Sequence, residues 1–270
     1  DLLNICGPDG IDRLALRHVY VGHVASEMLL QIQQIKGKIT GGTTEKEIQV
    51  KGNVGIGYPA EEILKFADTN QADLIMLSTH GASGIRRWAL GNVVDKVIHS
   101  TKVPIWLVPS ELRDEVINDQ VTKRTMVIPL NGSEKAETVL PYALALAKQR
   151  GAETRFVLIG VTRSGAVPVS TGESKNYYFN QFIEGTRPDK EVYFQSIIKR
   201  IQDAGFEADA EILKGDPPEE IVKYVSTHPT QLIAMATNGA SPITEFLFSN
   251  VTENVVRRIK KTPIFLVRPR

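Results

Sequence analysis

Gly81, Gly91 and Asn92 are the residues whose types and spacing carry the most chemistry in this sequence. They follow an apolar run, Leu74 to Leu77, bounded by polar residues, which reads as a buried parallel strand. Ser78, Thr79 and His80 lead into Gly81; after a nine-residue spacer, 82–90, Gly91 and Asn92 open a helical pattern through Val93, Val94, Val97 and Ile98. A strand, a small-residue loop and a helix N-terminus make an anion site. Free backbone N–H groups and the helix dipole point the same way, and glycine lets a phosphate approach the chain. Arg86 and Arg87 lie in the nine-residue spacer, where they either reach phosphate oxygens or form a solvated face.

Such a junction needs a sheet beneath it, and the chain supplies the expected alternation. Asp1 to Gly10 gives a short apolar run and a Pro8-Asp9-Gly10 turn. Leu14 to Val21 alternates and is rich in β-formers, which predicts a strand. Ser26 is placed to cap a helix through Met28, Leu29, Leu30, Ile32 and Ile35, ended by Gly41-Gly42. Glu47 to Val54 reads as another strand. Gly57-Tyr-Pro59 then enters a helix with Glu61 and Glu62 in its first turn. After the Gly81 loop come a helix over 91–100 and a strand over 103–108.

The pattern repeats. Gly57-Tyr-Pro-Ala-Glu-Glu-Ile-Leu-Lys-Phe66 recurs as Gly215-Asp-Pro-Pro-Glu-Glu-Ile-Val-Lys-Tyr224, an offset of 158 (215 minus 57). The same offset carries Gly81 to Gly239 and Asn92 to Asn250, and Pro104-Ile-Trp-Leu-Val matches Pro263-Ile-Phe-Leu-Val one residue later. The division expected is a first domain over 1–110, a polar linker over 111–123 and a second domain over 124–270. The second copy opens with a buried strand over Thr125 to Leu130, a turn capped by Ser133, a helix over 136–149 and a strand over 154–161. The first copy has only 13 residues before Leu14, too few for a strand and a full helix. Either that unit is degenerate, or its residues are absent from this chain. A polar insert over 162–190 reads as a mobile loop. Right-handed crossovers put every strand's carboxyl-terminal loop on one sheet edge, where α/β folds bind ligands.

Thr79-His80-Gly81, nine residues, then Gly91-Asn92 resembles the ATP-binding loop of the universal stress protein family, whose fuller pattern is Gly-x-x-Gly, nine residues, Gly-Ser/Thr. Ser78 stands at the first glycine position and Asn92 at the last. Val93-x-x-x-Val97 and Pro104-Ile-Trp-Leu-Val108 are similar to the family's last helix and strand, and the resemblance covers nearly the whole chain. It implies an α/β fold of two tandem doubly wound domains with parallel sheets, Rossmann-like and of the adenine nucleotide alpha hydrolase-like type. The last strands, Ile105 to Val108 and Ile264 to Val267, would pair these domains into a pseudo-dimer within one chain, with a homodimer as the alternative.

By the same resemblance the ligand is ATP, with AMP or ADP as alternatives, and Mg²⁺ arrives on the phosphates. The implied site is Val19, Leu77, Ser78, Thr79, His80, Gly81, Gly91, Asn92 and Val93. Val19 would sit at the end of a second strand against adenine, and Asp9 is the candidate for the family's adenine-facing Asp. His80 either contacts phosphate or bonds backbone within a turn. A weaker second site is implied at Asn131, Val161, Thr237, Asn238, Gly239, Ser249 and Asn250. There Ala236-Thr-Asn-Gly239 and Ser249-Asn250 replace two glycines, so a Cβ stands where phosphate would lie close to the chain.

Other classes have less support. The net charge of +1, from 32 basic and 31 acidic residues, gives no field for nucleic acid or membrane. The basic residues near the C-terminus lack an aromatic platform and read as solvated surface. No apolar run reaches bilayer length, and the one cysteine, Cys6, excludes an internal disulfide. A cytoplasmic protein is the expectation. There is no nucleophile elbow, no metal-ligand spacing and no P-loop lysine, so the expectation is a binder with at most slow ATP hydrolysis. Two alternatives stay open: an interaction and dimerisation module that binds no nucleotide, and the cytoplasmic regulatory part of a larger protein such as a transporter, since the chain starts at Asp1.

Overall fold

The computed structural model describes residues 1–39, 47–79, 92–109, 111–112, 123–150, 153–162, 190–237 and 250–269. The chain forms two compact units, Asp1–Ala72 with Asp95–Ser100, and Asp73–Val94 with Thr101–Arg270. These units differ from the sequence repeat, because the last two strands of the first repeat belong to the unit that holds all of the second.

In the first unit, β1 (Leu2–Cys6) leads through a 3-10 turn (Pro8–Arg13) into α1 (Leu14–Ile39), then β2 (Gly52–Ile56) and α2 (Pro59–Thr69). β1 and β2 pair in parallel, from Leu2 opposite Gly52 to Cys6 opposite Ile56. The strand expected over Leu14 to Val21 is therefore the start of a helix. Its β-branched and aromatic residues mimic a period of two, but the fully covered positions are Val21 and Ala25, four apart, the spacing of a helix face. Tertiary packing overrides β-propensity here. Ser26 is not a cap; it lies inside α1, where its hydroxyl donates to the Gly22 carbonyl at 3.1 Å. The strand expected over 47–54 is shifted to Gly52–Ile56. Gly41 and Gly42 lie outside the described residues.

The second unit is one seven-stranded sheet. Its strands are β3 (Ile75–Ser78), β4 (Ile105–Val108), β5 (Arg124–Pro129), β6 (Thr154–Thr162), β7 (Glu207–Lys214), β8 (Leu232–Ala236) and β9 (Ile264–Val267). Their order is β3-β4-β9-β8-β5-β6-β7. Every pairing is parallel except β4 with β9, where Trp106 lies opposite Phe265 and the flanking Ile105 and Leu107 meet Leu266 and Ile264. The two strands singled out as the joint between repeats pair in this antiparallel register, and the Trp106 and Phe265 rings meet edge to face at 6.1 Å.

Between strands run α3 (Asn92–Ser100), α4 (Glu134–Glu137), α5 (Leu140–Arg150), α6 (Lys190–Asp203), α7 (Pro217–Thr227) and α8 (Asn250–Arg258). α3 divides between the two units at Val94 and Asp95. Ser133 caps α4, its hydroxyl accepting the Ala136 N–H at 3.2 Å. The helix expected over 136–149 is broken between α4 and α5, because Pro141 lacks an amide hydrogen and cannot continue the ladder. The core is centred on Ile128, Phe156, Leu158, Ile197, Leu232 and Phe265, all nearly inaccessible to solvent. Strands with consecutive buried residues follow from a sheet covered on both faces.

Register corrects the alignment of the repeats. Gly57 donates its amide to the Cys6 carbonyl and Gly215 donates to that of Thr162, both at 2.9 Å. With Ile56 and Lys214 equivalent, Cys6 opposite Ile56 corresponds to Thr162 opposite Lys214. The counterpart of β6 is thus β1 and not Leu14 onward. Among the described residues the first repeat has no counterpart of β5, α4 and α5.

Candidate functional site

β3 and β4 end together at the carboxyl edge of the parallel pair, with Ser78 opposite Val108. One residue on, the Thr79 amide donates to the Val108 carbonyl at 3.0 Å, and Thr79 is buried. This bond carries strand geometry one residue past β3, to the start of the loop. Leu77 is half-buried within β3 and Ser78 is exposed at its end. α3 starts at Asn92, which is exposed, followed by half-buried Val93 and covered Val94. The structure therefore brings Leu77, Ser78 and Thr79 together at one strand end, and makes Asn92 and Val93 the first residues of a helix. His80, Gly81, Arg86, Arg87 and Gly91 lie outside the described residues.

The second repeat builds the same junction. The Thr237 amide donates to the Val267 carbonyl at 2.7 Å, as Thr79 does to Val108. The Thr252 hydroxyl in α8 donates to the Ala236 carbonyl at 3.1 Å and so fastens the helix's first turn to the end of β8. Asn238, Gly239 and Ser249 lie outside the described residues; Asn250 is the first residue of α8. Val161 is half-buried near the end of β6. The Asn131 carboxamide oxygen accepts both the amide and the hydroxyl of Ser133, at 3.1 and 2.7 Å. These bonds form an Asx turn that engages this oxygen before any ligand does.

Val19 requires a correction. It lies on α1, 70% exposed and in the first compact unit, whereas Leu77 to Thr79 belong to the second. The residue that matches Val161 by register is Ile5, opposite Gly55 as Val161 is opposite Leu213. Leu2-Leu-Asn-Ile-Cys6 and Leu158-Ile-Gly-Val-Thr162 share apolar residues at the same three places, which is the signal that could have found it. Asp9 lies in the 3-10 turn and lines an open cleft of about 370 Å³ with Gly7, Gly10, Asp12, Arg13 and Arg17. Two carboxylates and two guanidinium groups give that cleft no net field for an anion. Arg17 donates to the Asn4 carboxamide at 2.9 Å, and its buried Nε has no partner.

A separate polar cluster sits on β6, β7 and α7. Arg155 donates through Nε and Nη2 to Asp209 at 2.9 and 2.6 Å, which raises the guanidinium above its ordinary value. Tyr224 stacks on His228 with ring centres 4.0 Å apart and donates to Glu211 at 3.0 Å. Burial, reinforced by Glu211, pushes the Tyr224 phenol up to about 12. An unfolded tyrosine ionises near pH 10, so this contribution to stability is fully present below about pH 10 and is lost as pH rises through about 12. Alkaline titration followed by phenolate absorbance should show a late component that disappears in Tyr224→Phe. Unchanged late absorbance in that variant would contradict the assignment.

Among the described residues no group of three His, Cys, Asp or Glu side chains is placed to hold a metal, and no helix is long and apolar enough to cross a membrane.

Comparisons with known proteins agree on one family. The sequence profile described as the universal stress protein family matches residues 13–109 and again 123–268. A universal stress protein of Methanocaldococcus jannaschii is 27% identical over 164 residues, covering 55% of this chain and 96% of that protein. The YxiE universal stress protein of Bacillus subtilis is 24% identical over 147 residues, covering 53% of this chain and 97% of its own. A crystal structure of a universal stress protein from Archaeoglobus fulgidus shares the fold, with a TM-score of 0.59 at 21% identity over 91% of this chain and 78% of that one. With two profile matches in tandem and the repeated α/β pattern of strands and helices, this chain belongs to the universal stress protein family.

Proposed function

We propose that the first repeat binds an adenine nucleotide through the junction of β3 and α3, and that occupancy of this site regulates the protein's interactions in a cytoplasmic stress response. The observation that carries the reading is Thr79. Its amide is bonded to Val108, so strand geometry ends at Thr79, with His80 and Gly81 next in the sequence, and α3 starts at Asn92, with Gly91 just before it in the sequence. That is the order of groups a phosphate chain needs: a strand end, glycines, and a helix N-terminus. ATP is the preferred ligand, AMP and ADP the alternatives, and Mg²⁺ is held by the phosphates. The role is binding, with at most slow hydrolysis.

In the second repeat Thr237 and Asn250 reproduce the frame, but the engaged Asn131 oxygen and the glycine losses favour weak binding there or none. A second reading, an interaction module without nucleotide, draws on Ser78 and Asn92, which depart from the glycine and the hydroxyl residue of the family's loop. Isothermal titration with ATP, ADP and AMP, with and without Mg²⁺, separates the two. Nucleotide binding gives saturable heat. Its absence at protein and ligand concentrations of about 100 micromolar, the weak end of specific affinity, would leave the interaction module standing.

A further inference from the structure

The antiparallel joint between the repeats sets their ligand edges at opposite ends of the seven-stranded sheet. It therefore brings part of each repeat to the other's edge. β4 and β9 carry Leu107 opposite Ile264. Continuing that register sets Val108, whose carbonyl holds the Thr79 amide, level with Pro263, and carries Thr262 and Lys261 past the end of β4. The carboxyl edge of β3 and β4 is thus the edge at which β9 begins. α8 is fastened to the end of β8 by Thr252, and β8 runs parallel to β9, so α8 leads back across the sheet and delivers Lys260 and Lys261 to that edge.

The opposite edge shows how close the two repeats come. Thr101-Lys102 precede β4 as Lys260-Lys261 precede β9, with Lys102 and Lys261 each two residues before the matching prolines Pro104 and Pro263. There Arg268, one residue past β9, donates through Nη1 to the Thr101 carbonyl at 3.4 Å. One side chain spans from the strand end of one repeat to the lead-in of the other's last strand. At the first repeat's edge, Arg257 and Arg258 are held by Glu253 and Glu219, whereas Lys261 is exposed beside covered Thr262 and Pro263.

We infer that Lys261, from the second repeat, serves the anion end of the first repeat's site. Its ammonium contacts the terminal phosphates of a nucleotide held at β3 and α3, and so sets a preference for triphosphate over monophosphate. The inference rests on the nucleotide reading of that site. β3 and β9 are two strand spacings apart, about 10 Å, which a lysine side chain and a phosphate chain span together. A helix N-terminus holds the phosphate it touches whatever follows it. The lysine adds an attraction that grows with the charge beyond that phosphate. A compact ammonium on a flexible stem suits a phosphate that backbone does not fix. A second repeat that binds nucleotide weakly or not at all then still completes the site of the first.

The test is calorimetric titration of ATP and AMP into the full chain and three variants, at low and high salt. Lys261→Ala should weaken ATP at least threefold, change AMP by less than half of that factor, and flatten the salt dependence of ATP binding. Lys261→Arg keeps the charge and should restore ATP affinity. Lys102→Ala, the matching change at the other edge, should leave ATP binding as in the parent. AMP affinity reports that each variant is folded. ATP bound equally by the parent and Lys261→Ala overturns this inference and leaves the nucleotide reading standing. Equal losses of ATP and AMP overturn it too, because the lysine then acts on the part the two ligands share. So does a loss in Lys102→Ala as large as in Lys261→Ala, which would be a general field. No binding of either nucleotide to the parent at about 100 micromolar overturns the nucleotide reading itself, and the inference with it.

Discussion

Gly81→Val is expected to weaken ATP binding by at least tenfold, about 1.4 kcal/mol, while Gly239→Val leaves it unchanged. Thr79 is fixed to Val108 and Asn92 starts α3, so Gly81 is two residues beyond a held strand end and Gly91 one residue before a helix. A glycine there has no Cβ between backbone amides and phosphate, and valine adds a branched one that no rotamer removes. Phosphate oxygens would then be held at a distance where amide hydrogen bonds fail steeply. The second repeat has the same frame at Thr237 and α8, but Ala236 and Ser249 replace glycines and the Asn131 oxygen is already bonded within its own turn. On the proposed reading nucleotide is held by the first repeat, and Gly239, at the matching place in the second repeat's sequence, is the control. Titration calorimetry on both variants, with thermal melting to verify folding, gives the answer. Equal losses in the two variants would place a ligand in each repeat, and no loss in either would remove the loop from the site.

Much of this fold was legible in particular residues. Gly57-Tyr-Pro and Gly215-Asp-Pro announced the duplication because each must do the same local work, turning a strand end into a helix. The consecutive apolar residues of Met126 to Ile128 and Leu232 to Met235 announced strands covered on both faces. Ile105-Trp-Leu-Val and Ile264-Phe-Leu-Val marked the β4–β9 joint. The failure lay at Leu14 to Val21. A helix with two apolar faces, one covered and one exposed, spreads its hydrophobic residues around the axis, and its periodicity then approaches the alternation of a strand. That error moved Val19 to a strand end it does not occupy and hid Ile5, which β1 places there. It also concealed the true equivalence of the repeats, in which Leu2 stands where Leu158 does. What a single sequence could not supply was pairing register, and the correct equivalences follow from Cys6 opposite Ile56 and Thr162 opposite Lys214.

Gly215→Ala should destabilise the second unit by about 1–3 kcal/mol, and Gly57→Ala should do the same locally in the first. Both glycines hold φ near +150° (150° and 148°), a region that residues with a Cβ rarely enter. A Cβ at Gly215 would lie 2.8 Å from Cγ and Oε1 of Glu220, and one at Gly57 would lie 2.8 Å from Oε1 of Glu62. The neighbours cannot relax the backbone cheaply. On one side the glycine amide is bonded to the end of the adjacent parallel strand. On the other, an extended cap residue and a proline in the first turn commit the chain to α7 or α2, with the Glu220 amide bonded to the Asp216 carbonyl and the Glu62 amide to that of Tyr58. Two costs are therefore superposed, and they separate by design. Shortening the glutamate in Gly215→Ala/Glu220→Ala relieves the steric contact but leaves the dihedral, so it should recover only part of the loss. Full recovery would mean that the side-chain clash is the whole effect, and Gly215→Ala within about 0.5 kcal/mol of the parent would mean that the position is not strained for alanine. Denaturant unfolding reads the second unit, while hydrogen exchange of the β1 and β2 amides reads the first, where a short two-stranded sheet opens at low cost and a local loss would escape a global melt.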